Sequence, residues 1–328
     1  MAESVTIGTA TAAPGEVARG AIPVTQLAGG TSVEIPVVVI NGAAPGRTFW
    51  VDGAIHGDEP EGPFACQLAL AAIDPAKLTG TVVLCPVLNV PAFEAAERGN
   101  PLDTFSYDMN RIYPGRANGY LTERIAAAHA HWLGKHADLE ITIHSGGAHS
   151  YLAKAIFLDE RPESVELATA MGPGWGCMMS ANRPTGSPMA LLGGLGKVGI
   201  TVELGGRSAT SPAEFARVGE ELCASILNIL RHYQMYPGQA AYPSPRYKGV
   251  QEALLAPASG IFLPATGVEF LTMMKKGDPI ATIVNLFGDI EAELTAPADG
   301  MFFGLRALRN VTTGDWCCFF CKVEGTRD

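Results

Sequence analysis

Positive charge is scarce in this sequence of 328 residues. Lys and Arg total 23 against 33 Asp and Glu, which gives a formal net charge of -10 with neutral histidines. Proteins bind nucleic acids and anionic membrane surfaces through basic patches. The composition therefore predicts that neither nucleic acid nor a membrane surface is a partner of this protein.

Long apolar runs are also missing, although hydrophobic residues make up 47% of the chain. No run reaches the roughly eighteen residues that a membrane span needs, and residues 1–5 lack the basic start and apolar stretch of a secretory signal.

The cysteines are odd in number and scattered through apolar stretches: Cys66, Cys85, Cys177, Cys223, Cys317, Cys318 and Cys321. Such a set is typical of reduced, buried thiols. We therefore expect a cytoplasmic protein in which residues 317–321 form a core strand and not half of a zinc site.

Strand-like and helix-like patterns alternate along most of the chain. The predicted strands are 81–87, 139–144, 154–159 and 200–204, and the predicted helices are 63–73, 121–135 and 212–234. Strands that alternate with helices indicate an α/β fold with a parallel or mixed sheet. Three histidines belong to the second helix or its end, and we expect all three on its surface: His129, His131 and His136.

The composition changes after residue 238, where residues 240–250 have the character of a linker. Beyond them, the pattern Ala-Pro-Ala-x-Gly-x-Phe at 256–262 recurs at 296–302. The repeat resembles the two halves of a biotinyl/lipoyl-type barrel-sandwich domain, whose modified lysine sits at a hairpin tip. Here the tip, residues 285–289, has no lysine. The resemblance implies a small all-β domain over 241–328 that is structural or lid-like, and not a carrier, after a catalytic α/β domain over 1–240.

The segment from His56 to Glu59 follows the apolar run 49–55 and leads into a turn rich in Gly and Pro. Such a turn ends a strand, so its polar side chains lie at the edge of the sheet where open α/β sheets bind ligands. His56 and Glu59 are three residues apart, and one bend aims both at a common point. With one further histidine they make the His₂Glu set of a catalytic zinc. The alternative is an acidic surface turn with a histidine beside it.

Other strand ends and one long loop carry further candidates. His144 ends an alternating strand before Ser-Gly-Gly, which lets a ligand approach the backbone, so it is the natural third ligand. A lone histidine at a strand end is otherwise a hydrogen-bonded structural residue. Glu203 ends an apolar strand and is either a general base or half of an ion pair. In the loop 89–115, Asn110 and Arg111 form a candidate clamp for a substrate carboxylate, because the guanidinium fork matches a carboxylate.

As a set, these residues resemble the succinylglutamate desuccinylase/aspartoacylase family, relatives of the zinc carboxypeptidases. The resemblance covers about residues 30 to 235. It rests on motifs that occur in the family's order and spacing: His56-x-x-Glu59, Asn89-x-Pro91-Ala92-Phe93, Arg98, Asp108-x-Asn110-Arg111, Pro114-Gly115, His144-Ser145-Gly146-Gly147 and Glu203-x-Gly205. The resemblance implies a three-layer α/β/α fold with a mixed, mostly parallel central sheet, to which a C-terminal β domain is added.

The resemblance also implies roles for particular residues. It implies one Zn²⁺ per chain, held by the ligands His56, Glu59 and His144. Glu203 is then the general base and Arg98 polarises the scissile carbonyl, while Asn110 and Arg111 grip the substrate carboxylate.

One position departs from the family pattern. Family members usually have Asp two residues before the third ligand, and this chain has Thr142. We expect Glu140 or Asp138 to take over the role of this Asp, whether that role is an outer contact of a ligand or a structural one, and metal affinity is the property that the change affects.

Three functions are compatible with these residues. The first is a zinc-dependent hydrolase that cleaves the amide bond of a small N-acylated amino acid. The second is a metallocarboxypeptidase that acts on peptide C-termini. The third is a non-catalytic zinc-containing binding protein, against which Glu203 and Arg98 count, because a structural zinc normally has four protein ligands. The acyl group, the amino acid, an ester in place of the amide and a homo-oligomer are all left open.

Overall fold

The computed structural model describes residues 3–105, 107–181, 186–207 and 211–327. Residues 1 and 2 of the N-terminal stretch considered above lie outside these ranges. The helices are α1 (Glu61–Ala72), α2 (Val90–Ala95), α3 (Leu121–His136), α4 (Pro162–Ala170), α5 (Pro188–Gly194) and α6 (Pro212–His232). The strands are β1 (Val5–Ile7), β2 (Ala10–Ala12), β3 (Glu16–Gln26), β4 (Ser32–Asn41), β5 (Ala44–Asp52), β6 (Thr79–Cys85), β7 (Leu139–His144), β8 (Ser150–Leu158), β9 (Cys177–Ser180), β10 (Val198–Gly205), β11 (Tyr247–Leu255), β12 (Gly260–Pro264), β13 (Met273–Met274), β14 (Pro279–Val284), β15 (Ile290–Thr295), β16 (Gly300–Arg306), β17 (Asn310–Val311) and β18 (Trp316–Thr326).

The predicted helices correspond to α1, α3 and α6, and the predicted strands to β6, β7, β8 and β10. Their ends are shifted by at most four residues. The loop after β6, predicted to be irregular, contains the short helix α2 and one 3₁₀ turn, Met109–Arg111. These elements were predictable because their apolar spacing is a local property of the sequence.

Within the described ranges, twelve strands form one mixed sheet in the order β13-β16-β18-β11-β9-β8-β10-β7-β5-β6-β4-β3. Parallel pairing joins β6, β5, β7 and β10 in its centre and β8, β9 and β11 beside them. The pairings of β10 with β8, and those towards both edges, are antiparallel. The predicted mixed α/β fold is confirmed, whereas the expectation of a mostly parallel sheet holds only for the centre.

Helices cover both faces of the central strands. On β5, Phe49 and Val51 pack in the core that helices α1, α4 and α6 share, while Trp50 packs in the core shared with α3. Every residue of β7 is buried. Because both faces are covered, polar side chains of these strands reach solvent chiefly where the strands end.

Helix α3 contradicts one prediction. His129 lies fully buried on the face that packs against the sheet, together with Ile125, Ala126 and Leu133. The spacing of these residues places His129 on the apolar stripe, so its polarity was the misleading signal. His131 is exposed, as expected, and His136 is half-buried.

The C-terminal region is β-rich, as predicted, but its strands divide between two sheets. Strand β11 pairs with β9 in parallel, so that β11, β18, β16 and β13 extend the main sheet. The strands β15, β14, β12 and β17 form a separate sheet. The repeated residues Phe262 and Phe302 share one core. The lysine-free tip 285–289 joins β14 to β15. The domain boundary at residue 240 stays a prediction.

Two further expectations concern thiols and membrane spans. All seven cysteines are buried and free, and Cys317, Cys318 and Cys321 lie in β18, as predicted. Within the described ranges, no helix is both long enough and apolar enough to cross a membrane.

Candidate metal centre

Three neighbouring strands present the candidate residues at their carboxyl ends. Strand β5 ends at Asp52, and the turn that follows carries His56 and Glu59 before α1 begins. The turn packs tightly on α2, because a Cβ at Gly57 would lie 2.0 Å from the carbonyl carbon of Ala92. Only glycine fits there without a shift of the backbone.

The register of the sheet brings the other two strand ends to the same edge. His144 is the last residue of β7, and Glu203 of β10 is its direct partner across the parallel pair. Two side chains at paired positions of adjacent strands point to the same face of the sheet. The structure therefore places Glu203 beside the donor that β7 supplies.

The three predicted ligands converge. His56 Nδ1 lies 2.8 Å from Glu59 Oε1, His144 Nδ1 lies 3.1 Å from Glu59 Oε2, and the two Nδ1 atoms are 3.3 Å apart. Ligand atoms bound at about 2.0–2.1 Å in a zinc tetrahedron are separated by about 3.3–3.4 Å. The side chains are only 2–3% exposed. The donor set therefore fits a divalent cation of the zinc type.

The outer nitrogens of both histidines are held by the loop after α2. His56 Nε2 lies 3.1 Å from Asp108 Oδ1, and His144 Nε2 lies 3.4 Å from Asn110 Nδ2. Asn110 Oδ1 is buried without a partner among the described residues. A half-turn of this amide puts Oδ1 against Nε2, as a histidine that binds metal through Nδ1 requires.

Thr142 and its neighbours do not contact the two histidines as expected. The carboxylate of Asp138 accepts a hydrogen bond from the backbone of Thr48 instead. The Glu140 carboxyl group accepts one from the Thr142 hydroxyl. Neither carboxylate therefore contacts the histidines, and the expectation that Glu140 or Asp138 takes over a structural role of the usual Asp stays a prediction. Asp108, which the sequence offered only as part of a motif, makes such a contact.

The charges of the carboxylates and the histidines, together with burial, shift the pKa values of the cluster. Burial disfavours a charged His56, but the carboxylates of Glu59 and Asp108 outweigh it and raise the His56 pKa to about 9. Burial acts against the Glu59 carboxylate, yet the two histidines hold its pKa well below the usual range. Burial lowers the pKa of His144. The cluster therefore takes up positive charge at His56 first.

Glu203 occupies a different electrostatic position. Burial and the nearby charge of Glu59 raise the pKa of its carboxyl well above the usual range. Its Oε2 atom has no hydrogen-bond partner, and no lysine or arginine forms an ion pair with it in the described parts of the chain. A half-buried carboxyl group with a raised pKa and no ion pair, beside a metal-type cluster, is a marker of functional sites.

The two predicted arginines lie at the mouth of the site. One guanidinium nitrogen of Arg98 lies 3.3 Å from His56 Nδ1, and the other donates to Asp108 Oδ2 at 3.0 Å. Arg111 is 45% exposed and donates to the backbone oxygen of Asn110 at 2.7 Å. The Arg98 guanidinium therefore lies beside His56 in the cluster, whereas the Arg111 guanidinium lies at the edge of the site, near Asp108 and the backbone of Asn110.

Sequence reasoning missed one further buried carboxylate, Glu61 at the start of α1. It accepts a hydrogen bond from the Ser145 hydroxyl and one from the backbone of Gly206, each at 2.8 Å. These contacts tie the loops after β7 and β10 to α1. A second glutamate two residues after Glu59, at the start of an apolar helix, was the available signal.

The strand ends of this mixed α/β sheet gather two imidazoles and two carboxyl groups, and the loop after α2 adds the guanidinium of Arg98. Such a site is of the kind found in hydrolytic enzymes. Residues 45–230 match the succinylglutamate desuccinylase/aspartoacylase catalytic domain. This match covers more than half of the chain, and the chain belongs to that family.

Similar proteins extend the likeness over nearly the whole chain. N-alpha-acetyl-L-2,4-diaminobutyric acid deacetylase of Halomonas elongata is 28% identical over 307 residues, which are 89% of this chain and 86% of that protein. A succinylglutamate desuccinylase from Silicibacter sp. TM1040 superposes with a TM-score of 0.82 at 24% identity. The product-bound ectoine utilization protein EutE (DoeB) of Ruegeria pomeroyi gives 0.81 at 23%. Both structural matches cover 98% of each chain, and at these identities they establish the fold.

Proposed function

We propose that the protein is a zinc-dependent deacylase that hydrolyses the amide bond of a small N-acylated amino acid. His56, Glu59 and His144 hold one Zn²⁺ per chain. The observation that carries the proposal is the convergence of the three side chains: the two histidine Nδ1 atoms lie 3.3 Å apart, and each lies 2.8–3.1 Å from a different oxygen of Glu59. Zinc bound by three protein ligands supplies Lewis acidity that makes water available as a nucleophile near neutral pH.

The remaining side chains supply the proton transfers and the binding contacts. Glu203 takes a proton from the attacking water while the new C–O bond forms, and it gives the proton to the amine nitrogen as the C–N bond breaks. Its raised pKa suits a group that must also act as an acid, and a nearby cation favours the carboxylate that accepts the first proton. Arg98 stabilises the charge that develops on the carbonyl oxygen. Asn110 and Arg111 bind the substrate carboxylate.

We infer the acyl group of the substrate from the Halomonas elongata deacetylase, which this chain matches over 86% of that protein's length. That relative is named for removing an acetyl group from diaminobutyric acid, and the similarity spans 89% of this chain. We therefore propose an N-acetyl amino acid as the substrate. The C-terminal region joins the sheet close to this strand end, because Gly304–Arg306 pairs with Ser150–Leu152, which follow His144 in the chain. We propose that this region favours a small substrate over a peptide C-terminus, the alternative substrate.

The test is a panel of N-acetyl, N-succinyl and N-formyl amino acids together with a blocked dipeptide, each assayed with and without a chelator. We expect hydrolysis of an N-acetyl amino acid, loss of activity after chelation and recovery when Zn²⁺ is added back. Preferential cleavage of the dipeptide favours the carboxypeptidase. Activity that survives complete metal removal contradicts the metal-dependent mechanism, and a metal-binding protein inactive on every compound points to a binding role.

The raised pKa of His56 predicts pH-dependent metal binding. Below a pKa of about 9, His56 carries a proton that the metal must displace. The apparent affinity for Zn²⁺ therefore falls as the pH falls, by about tenfold per pH unit between pH 8 and 7, because ligand protonation competes with the metal. Competition with an indicator chelator, corrected for the chelator's own protonation, measures this slope. An affinity that does not change between pH 7 and 8 contradicts the assignment of His56.

A further inference from the structure

A series of four buried side chains with polar groups is linked by hydrogen bonds at the end of β5, the strand that leads to His56. Trp50 Nε1 donates to Asp52 Oδ1 at 2.7 Å, and His129 Nε2 lies 3.0 Å from the same oxygen. The Tyr113 hydroxyl lies 2.8 Å from His129 Nδ1. All four residues are at most 4% exposed. None of them belongs to the catalytic proposal made above.

The donors and acceptors of these side chains are compatible with one another. An indole only donates, so Asp52 Oδ1 is an acceptor. His129 Nε2 donates to the same oxygen, and His129 Nδ1 shares a hydrogen bond with the Tyr113 hydroxyl, which can both donate and accept. The rings of Trp50 and Tyr113 flank the imidazole edge-on, each with centroids 5.7 Å from it. Rings and hydrogen bonds together fix the orientation of His129.

The same cluster also brings together a possible second set of metal donors. Ligand atoms of Asp52, Cys85 and His129 lie within 4.8 Å of one another. Both nitrogens of His129 are already engaged in hydrogen bonds, and Asp52 Oδ1 has two partners. Burial also raises the pKa of the Cys85 thiol well above its usual range, which keeps the sulfur protonated. Hydrogen bonds therefore account for this cluster better than a metal does.

This series of hydrogen bonds connects two segments whose residues contribute to the candidate metal centre. Tyr113 ends the segment 108–113, in which Asp108 and Asn110 reach the outer nitrogens of the two metal-type histidines. Met109 and Tyr113 of this segment point into the core instead. At the other end, Asp52 closes β5, four residues before His56. A hydrogen-bonded path thus joins the segment to the strand that leads to the first ligand.

We propose that Tyr113, His129 and Asp52 form a positioning chain that fixes the segment 108–111 over the site. The proposal rests on the function proposed above. The Tyr113 hydroxyl ties the end of the segment 108–113 to His129, Met109 packs in the core, and Arg98 holds Asp108 from the other side. Without the Tyr113 hydroxyl, we expect Asp108 and Asn110 to be held less firmly against the two histidines. Loss of such outer contacts weakens metal binding by about 10- to 100-fold.

The test compares Tyr113→Phe with the matched variant Tyr236→Phe. The Tyr236 hydroxyl accepts a hydrogen bond from the backbone of Asp74 at 3.0 Å, at the far end of α1. For Tyr113→Phe we expect Zn²⁺ affinity about tenfold weaker, KM for the N-acetyl amino acid raised about tenfold, and kcat at saturating Zn²⁺ within about threefold of the parent, because no catalytic group is removed. Tyr236→Phe is expected to change none of these values.

Two further measurements separate positioning from a general loss of stability. The backbone amides of residues 108–113 are expected to exchange hydrogen at least about tenfold faster in Tyr113→Phe, in the absence of substrate. His129→Gln keeps a donor for Asp52 but cannot also reach Tyr113, so the double variant with Tyr113→Phe is expected to be no worse than either single variant. A lower Tm with unchanged exchange, KM and Zn²⁺ affinity overturns the proposal.

The number of Zn²⁺ ions bound per chain distinguishes a hydrogen-bonded cluster from a second metal site. One Zn²⁺ per chain in the parent and in His129→Gln agrees with a hydrogen-bonded cluster. Two ions in the parent, with one lost in His129→Gln, overturn the proposal in favour of a second metal site. Failure of the proposed function itself shows in the unaltered protein, as absence of both hydrolysis and Zn²⁺ binding. The exchange measurement on Tyr113→Phe still decides the positioning role in that case.

Discussion

Glu203→Gln is expected to keep its Zn²⁺ and to lose turnover by about 10²- to 10⁴-fold, the range that a positioned general base contributes. The substitution preserves the shape of the side chain and removes only its ability to take a proton. Burial and Glu59 raise the pKa of Glu203 and so disfavour its charged form. A neutral amide of the same shape should therefore leave the metal-free fold intact. Steady-state kcat and Zn²⁺ content of the same preparation measure the two effects.

Glu140→Gln is the matched control for this experiment. Glu140 is fully buried, whereas Glu203 is half-buried, and burial together with the charge of Asp52 raises the Glu140 pKa well above the usual range, as it is raised in Glu203. It lies on β7, level with Gly199 of β10, at the opposite end of the strand from His144. The control is expected to retain kcat. If Glu203→Gln turns over at nearly the parental rate, Glu203 has no part in the mechanism.

His144→Ala is expected to weaken Zn²⁺ binding by about 10³-fold or more, because a site with three protein ligands loses one of them. Hydrolysis should disappear at micromolar Zn²⁺ and recover only partly at high concentrations. Competition with a chelator gives the affinity, and activity against Zn²⁺ concentration gives the functional consequence. The exposed His131 on α3 offers His131→Ala as a control that removes an imidazole away from the site.

Two outcomes of the His144 experiment exclude the proposed ligand set. Zn²⁺ affinity that matches the parent assigns the metal to other residues. If the affinity is parental but activity is lost, His144 contacts the substrate instead of the metal. Its Nε2 atom lies 3.4 Å from Asn110, which is proposed to bind the substrate carboxylate. Equal effects in His131→Ala attribute the change to histidine content and not to this position.

The candidate donors were predictable because their signals are local. His56 and Glu59 stand three residues apart in a turn whose Gly and Pro residues end a strand. His144 and Glu203 each close a short apolar run, and the carboxyl ends of parallel strands meet at one edge of a sheet. The proximity of these three segments follows from the fold, and the structure brings them together as the sequence predicted.

Contacts between distant segments were not predictable in this way. Asp108 meets His56 across 52 positions, and its charge gave no indication of that partner. His129 has the helical spacing of a buried residue, but its polarity indicates the surface. Its burial depends on hydrogen bonds to Asp52 and Tyr113, which come from distant segments. In the C-terminal region, the repeat predicted β-structure but not the pairing of β11 with β9.

The sequence by itself determined the main helices and strands, the residue types of the site and the family. These depend on periodicities of 2 and 3.6 residues and on short spacings, which any window of the chain contains. Only the tertiary structure decided which buried polar groups satisfy one another and how the C-terminal strands join the sheet. The reason is that hydrogen bonds between remote segments depend on packing and register, and many pairings are equally compatible with the same local pattern.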